Sequence, residues 1–332
     1  MKITFFDCLE KEKEKYFELF KDNEVSSFRE KLTKDNIHLA NGSDIISVRV
    51  MSEIDKEIID LLPNLKYIAA RTVGFNNIDI EYAKSKGISI SNIPDYGPHT
   101  IAEFAFGLLL NISRKIIKAN TQLRENMDFS RVSLEGFDLK GKTLGVLGTG
   151  KIGKEVIKIA KGFGMKIVAY DVFLSEDFAK EMDFEYKELD EVLKESDVIS
   201  VHIPYKKETY HLINKENISK MKKGVVLINT ARGELVDTEA LIWGLREGIV
   251  SGAGLDVLEE ENKLRDEIKM VSFNQNEKDY KKLVEGHILI DMPQVIVTPH
   301  VAFFSRESVD SFIKTTKENI DGFISNNPVN LV

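Results

Sequence analysis

The chain has 332 residues, of which 42% are apolar and 30% charged, the balance of an ordered protein in water and not of a disordered tract or a membrane-embedded bundle. Its 54 acidic and 46 basic residues leave a formal charge of −8, which argues against nucleic acid or an anionic membrane as a partner, so an anionic ligand must meet a local positive group. The length exceeds what a single core commonly supports, and two domains are expected.

In chain order, KITFF (2–6) reads as a first strand, too short an apolar run for a secretory leader. The longest apolar stretch elsewhere, FAFGLLL (104–110), falls short of the ~18 residues a membrane span needs, so a cytoplasmic location is expected. Cys8, the single cysteine, excludes an intrachain disulfide and any multi-cysteine metal centre, and no metal site is expected; it reads as a buried structural thiol. SDIISVRV (43–50), LKYIAA (65–70) and GISISNI (87–93) are further strands, separated by helical segments such as EIDKEIIDLLP (53–63). That alternation predicts a parallel sheet covered by helices.

A long amphipathic helix is predicted from Thr100 to about Arg124. Strands then follow at 142–148, 166–171, 197–203, 224–230, 252–257 and 294–300, the number of a doubly wound dinucleotide fold. Between Asp256 and Pro293 lies a charged stretch with a helix at about 275–285, read either as a solvated excursion or as a partial lid. A last helix from about Arg306 to Ile324 packs most economically on the first domain. The expected architecture is α/β: two doubly wound parallel-sheet domains, with a Rossmann cofactor domain (99–300) inserted in a discontinuous flavodoxin-like substrate domain (1–98 and 301–332).

LGVLGTGKIGKEV places Gly148, Gly150 and Gly153 as G-x-G-x-x-G directly after a strand and at the opening of a helix. Such glycines permit a tight turn, close approach of backbone N–H groups to a pyrophosphate, and close helix-to-strand packing. The next strand ends at Asp171, where a carboxylate can bond the ribose hydroxyls and repel a 2′-phosphate, favouring NAD over NADP. A plain structural turn stays open as the alternative.

Ligands of a doubly wound sheet sit beyond the carboxyl ends of its strands. Arg232 follows the strand at 224–230, Glu261 follows 252–257 and His300 ends 294–300, so all three belong on one edge. Reduction of a carbonyl beside a carboxylate needs a proton donor and a fixed cation. A histidine backed by a carboxylate supplies the first, and the two-pronged guanidinium supplies the second. Each has a blander reading, as a solvated arginine, a charged face at EEE (259–261) and a histidine that ends a strand; their shared edge favours the functional one.

RTVGFNNIDIEYAKSKGI, IPDYGPHTIAE, GVLGTGKIG, SDVISVHIPY, LINTARGELVDTEAL, GAGLDVLEEE and VIVTPHVAFF occur in the order of the D-isomer-specific 2-hydroxyacid dehydrogenases, which this chain resembles through most of its length. The Glu261-to-His300 spacing is similar to that of the D-lactate dehydrogenase branch. The resemblance implies Arg232 as the substrate-binding arginine, Glu261 as the carboxylate partner and His300 as the acid/base. It implies that the Val73 and Gly74 amides meet the substrate carboxylate from the other domain and that Tyr96 is directed at the substrate. Gly148, Thr149, Gly150, Lys151, Ile152, Gly153, Asp171, His202, Pro204, Thr230, Ala231 and Asp256 would line the cofactor.

The implied activity is NADH-dependent reduction of a 2-oxo acid, pyruvate to D-lactate first among the choices. Arg49, at the end of a first-domain strand, could hold a second carboxylate, as in 2-hydroxyglutarate dehydrogenases, or bend away into an ion pair. An NAD(H)-sensing corepressor of the same fold is the alternative of another class. The helix at 100–124, with Phe104, Phe106, Leu108 and Leu109, resembles the family's dimerising region, so a homodimer is expected, although an apolar helix face is also what a plain core needs.

Overall fold

Runs of four to six residues rich in isoleucine and valine, each followed by a helix or turn, favour parallel pairing. Every strand pair recorded in both sheets is parallel. The computed structural model describes residues 1–95, 97–261 and 277–332, without the side chains of 277–280. By its internal contacts the chain falls into two units, Met1–Gly97 with Phe304–Val332, and Pro98–Phe303.

The first unit contains β1 (Lys2–Phe5), α1 (Glu10–Leu19), β2 (Glu24–Ser27), β3 (Ile45–Val48), α2 (Lys56–Asp60), β4 (Tyr67–Ala70), α3 (Ile80–Ser85) and β5 (Ser89–Ser91), with the sheet ordered β2-β1-β3-β4-β5. This is the flavodoxin-like order. Strands β3 and β4 are buried at every residue. Strand β2, EVSS, was not expected from the sequence. It lies at the sheet edge with one neighbour and needs no apolar alternation to pair there. The last helix, Arg306–Ile324, packs on α1 and β4 in this unit, stacking Phe323 on Tyr67 at 4.3 Å. Cys8 is buried and free.

The second unit contains α4 (Pro98–Arg114), α5 (Ile116–Asn126), β6 (Thr143–Leu147), α6 (Lys151–Gly162), β7 (Lys166–Tyr170), α7 (Glu176–Glu181), β8 (Glu185–Tyr186), α8 (Leu189–Glu195), β9 (Val198–Val201), α9 (Lys215–Lys220), β10 (Val225–Asn229), α10 (Thr238–Arg246), β11 (Val250–Leu255), α11 (Glu277–Asp291) and β12 (Val295–Val297). The sheet order is β12-β11-β10-β9-β6-β7-β8, so the crossover between β6 and β9 creates the switch point at which such sheets bind ligands. The two-residue edge strand β8 makes seven strands where six were expected. Apolar clusters cover the sheet.

The helix expected at 100–124 is two helices. Lys115 adopts a left-handed conformation between them (φ 52°). Residues 136–137 press against the end of α4, where the Ser113 carbonyl accepts a hydrogen bond from Phe137 N at 2.9 Å. A Cβ on Gly136 would lie 2.0 Å from that oxygen. Phe106, Leu108 and Leu109 are buried, and Phe104 packs partly buried against the same cluster. These residues form core, with Leu108 and Ile112 seated against Gly254 of β11, and are not a free dimerising face. Among the described residues no helix is long and apolar enough to cross a membrane. The expected helix at 275–285 is α11; the lid reading of the charged stretch falls largely on 262–276, outside the described residues.

Candidate active site

The glycine loop joins β6 to α6 at the switch point. Gly148 has φ 95°, and a Cβ there would lie 2.7 Å from the backbone of His202, just past β9. A Cβ on Gly153 would lie 2.0 Å from the Gly148 carbonyl oxygen. Both glycines are demanded by close backbone packing, whereas Gly150, the N-cap of α6, faces open space. Open space in front of the N-terminus of a twelve-residue helix suits a phosphate group. Lys151 opens that helix, and Ile152 packs partly buried against the core.

Asp171 stands one residue beyond β7, where the sequence put it. Its Oδ2 accepts from Thr149 N at 2.6 Å and Thr149 Oγ1 at 3.0 Å, and its Oδ1 from Phe173 N at 2.9 Å. Thr149 itself is buried, bonded under the loop to Asp171 and Tyr186, so it supports the loop instead of lining its open side. His202 lies with Nε2 2.7 Å from Ser200 Oγ, and burial pushes its pKa down from 6.5 to about 3. It is therefore a neutral ring at pH 7. Pro204 is exposed, Ala231 half-buried and Thr230 buried, and Thr230 Oγ1 has no hydrogen-bond partner among the described residues. Open space at Gly150, an orphaned hydroxyl at Thr230 and the Asp171 carboxylate fit a dinucleotide.

Arg232, past the end of β10, holds its own Ala231 carbonyl through Nη1 at 2.7 Å. Asn229 Nδ2 donates to the Arg232 carbonyl at 2.8 Å and fixes the turn. Among the described residues no carboxylate pairs with the guanidinium. Beyond β12, His300 donates from Nδ1 to Glu261 Oε1 at 2.6 Å, which leaves Nε2 as the ring atom that can carry a proton to a ligand. His300 has φ 55°, a conformation that needs support. Asp256 supplies it: its carbonyl accepts His300 N at 2.9 Å, and its carboxylate accepts Thr298 Oγ1 at 2.5 Å, Val301 N at 3.0 Å and Ala302 N at 2.8 Å.

Asp256 is 1% exposed, and burial raises its pKa against the pull of those bonds. The sequence reading set it beside the cofactor; the structure turns its carboxylate inward to the histidine turn. A second carboxylate was missed altogether. Glu259, in the stretch for which a charged face was the blander alternative, is 6% exposed and takes hydrogen bonds from Thr238, His211 and Lys282. Burial raises its pKa, but those bonds outweigh burial and hold it below the usual carboxylate value. The signal available was position alone, shortly beyond the carboxyl end of the mostly buried strand β11.

In the first unit, Val73 and Gly74 follow β4 in a turn closed by Thr72 Oγ1 to the Gly74 carbonyl at 2.6 Å and by Asn92 Nδ2 to the Val73 carbonyl at 2.8 Å. Among the described residues neither N–H meets an acceptor. Tyr96 lies outside the described residues. Arg49 is turned into the unit, ion-paired with the buried Glu12, its guanidinium carbon 5.4 Å from the Phe312 ring centroid. Burial and the neighbouring Arg71 push its pKa down, and Glu12 opposes them. The structure thus realises the ion-pair alternative for Arg49, because the buried Glu12 carboxylate needs a counter-charge.

The family model for the NAD-binding domain of D-isomer-specific 2-hydroxyacid dehydrogenases matches residues 106–302. An aromatic 2-oxoacid reductase of Clostridium sporogenes is 43% identical over 289 residues, which cover 86% of this chain and 84% of that protein. The D-lactate dehydrogenase of Escherichia coli is 35% identical over 325 residues, 96% of each chain. The crystal structure of D-lactate dehydrogenase from Aquifex aeolicus, complexed with NAD and lactic acid, is 37% identical and similar with a TM-score of 0.88 over 98% of this chain and 96% of that one. With a match across the sheet that carries the glycine loop and relatives spanning nearly its whole length, the chain belongs to the NAD-binding D-isomer-specific 2-hydroxyacid dehydrogenase family.

Proposed function

We propose that the protein reduces a monocarboxylic 2-oxo acid, pyruvate first among them, to the D-2-hydroxy acid. The observation that carries this is the Glu261–His300 contact at 2.6 Å on the same sheet edge as an arginine with no carboxylate partner among the described residues. Bound NADH supplies the hydride. Arg232 holds the substrate carboxylate through the fork of its guanidinium. His300 gives its Nε2 proton to the keto oxygen, and Glu261 stabilises the imidazolium before transfer and fixes the ring. Lys151, Ile152, His202, Pro204, Thr230 and Ala231 bound the nucleotide beside the glycine loop, and Asp171 meets the adenosine ribose.

Arg49 neutralises Glu12 in this reading, so a second substrate carboxylate has no cation waiting there. The aromatic 2-oxoacid reductase among the relatives supports a second reading, in which the tail is a phenyl ring. The experiment is turnover of pyruvate, phenylpyruvate, oxaloacetate and 2-oxoglutarate with NADH and NADPH, for the native chain and Arg49→Ala. Preference for a monocarboxylate with NADH, in an order Arg49→Ala does not change, is expected. Preference for a dicarboxylate that Arg49→Ala abolishes would overturn the monocarboxylate reading, and no turnover of any would favour an NAD(H)-sensing protein.

A cytoplasmic homodimer completes the proposal. Ile116, Ile117, Met127, Phe129 and Val132 are all at least half exposed, Phe129 and Val132 at 79%, and a second copy would cover them. Sedimentation of the native chain and Phe129→Asp tests it, with dissociation of the variant expected.

A further inference from the structure

The segment that carries Glu261 is held in place from two sides. On one, a Cβ on Gly233, the residue after Arg232, would lie 2.1 Å from Leu258 C and 2.4 Å from Glu259 N, so the two turns touch backbone to backbone. On the other, Glu259 reaches inward. Its Oε2 accepts from Thr238 N at 3.0 Å, Thr238 Oγ1 at 2.6 Å and Lys282 Nζ at 3.0 Å, and its Oε1 from His211 Nε2 at 2.7 Å. The donors come from three places in the chain: the loop after β9, the start of α10, and α11. Glu260 then turns the chain with φ 54°, and Glu261 emerges facing His300.

We propose that Glu259 is a positioning residue for the reaction: its four hydrogen bonds, with the Gly233 contact, fix the 258–261 segment so that Arg232 and the Glu261–His300 couple keep one mutual geometry. A buried carboxylate that accepts hydrogen bonds on both oxygens resists displacement strongly, because any shift leaves it uncompensated away from water. His211, Asp237 and Glu259 lie close enough to suggest a cation site. Lys282 supplies the cation already, and its other side is met by the buried Glu285 at 3.2 Å. Asp237 faces His211 Nδ1 at 3.8 Å and Tyr210 stacks on that ring at 3.8 Å, so the whole group is ordered by partners within the second unit.

This rests on the reading of His300 as proton donor, and the test separates the two. Glu259→Gln and Glu261→Gln are made singly and together, and reduction of the 2-oxo acid that the native chain turns over is measured. If Glu259 acts through Glu261, Glu259→Gln lowers kcat roughly 10- to 100-fold, as loss of an outer-shell partner does elsewhere. It leaves NADH affinity unchanged, and the double variant is within about twofold of Glu261→Gln alone. Losses that multiply in the double variant would overturn the proposal.

The His300 ring titration, followed by NMR, needs no turnover. It should move in Glu259→Gln in the same direction as in Glu261→Gln; an unmoved titration overturns the positioning role even if the native chain shows no dehydrogenase activity. Thr238→Val and Lys282→Met, each removing one donor, give the same pattern with smaller losses should Glu259→Gln fail to fold.

Discussion

Arg232, Glu261 and His300 were legible because each follows a parallel strand at its carboxyl end, and the topology of such a sheet leaves those positions little freedom. Which of three consecutive glutamates faces His300 was not derivable from spacing alone. The turn at Glu260 decides it, sending Glu259 inward and Glu261 toward the histidine, and Glu261 is the one that the resemblance to a family names as the partner, which periodicity could not single out. Arg49 was ambiguous for a related reason: its counter-charge, Glu12, lies in a helix whose face the sequence did not resolve. At this scale Arg232→Lys is the sharp prediction. Lysine keeps the charge and loses the fork, so kcat/KM for the 2-oxo acid should fall roughly 100-fold or more, about 3 kcal/mol at ~1.4 kcal/mol per tenfold. NADH affinity measured by fluorescence titration should stay put. Equal losses in both would mean that the side chain holds the nucleotide site together instead of the substrate.

Among the elements, buried strands announced themselves and edge strands did not. β3, β4, β9 and β10 are buried throughout and are written in isoleucine, valine, leucine and small residues. β2 and β8 are short, polar in part and sit at sheet edges, where one neighbour and a wet face make no such demand. The break at Lys115 was equally hidden: no proline or glycine marks it, and the segment that meets the end of α4 there, residues 136–137, lies more than twenty residues further along the chain. The loop between β6 and α6 carries the prediction at this scale. Because a Cβ at residue 153 would meet the Gly148 carbonyl oxygen at 2.0 Å, Gly153→Ala must push α6 off the sheet, costing roughly 1 to 3 kcal/mol of stability. It should also weaken NADH binding, because the displaced helix N-terminus is the proposed phosphate site. Unfolding in urea and an NADH titration on the same variant check both, and unchanged NADH affinity would remove α6 from the nucleotide site.

For the molecule as a whole, the alternation of apolar strands with helices was enough to expect two parallel α/β sheets, whereas the edge strands β2 and β8 and the strand order about the β6–β9 switch point come from the structure. The reading of the charged stretch as excursion or lid was not decided, since composition alone does not say what a hydrophilic segment packs against. Acid sensitivity belongs at this scale as well. His202 binds its proton near 6.5 when unfolded and near 3 in the fold, so between those values the unfolded chain holds the extra proton. Its contribution to stability is therefore full above pH 6.5 and is lost as pH falls toward 3. One proton is involved, so the slope should be at most about 1.4 kcal/mol per pH unit. Thermal unfolding between pH 7.5 and 5 should fall more steeply for the native chain than for His202→Gln, and parallel curves would assign the sensitivity to other groups.

The lone thiol gives this chain a built-in gauge. Cys8 is 3% exposed, and burial pushes its pKa up, so a thiol-reactive dye reaches it only when the first unit opens. The second unit has no cysteine to answer. The labelling rate therefore clocks the breathing of the first unit, without any engineered probe.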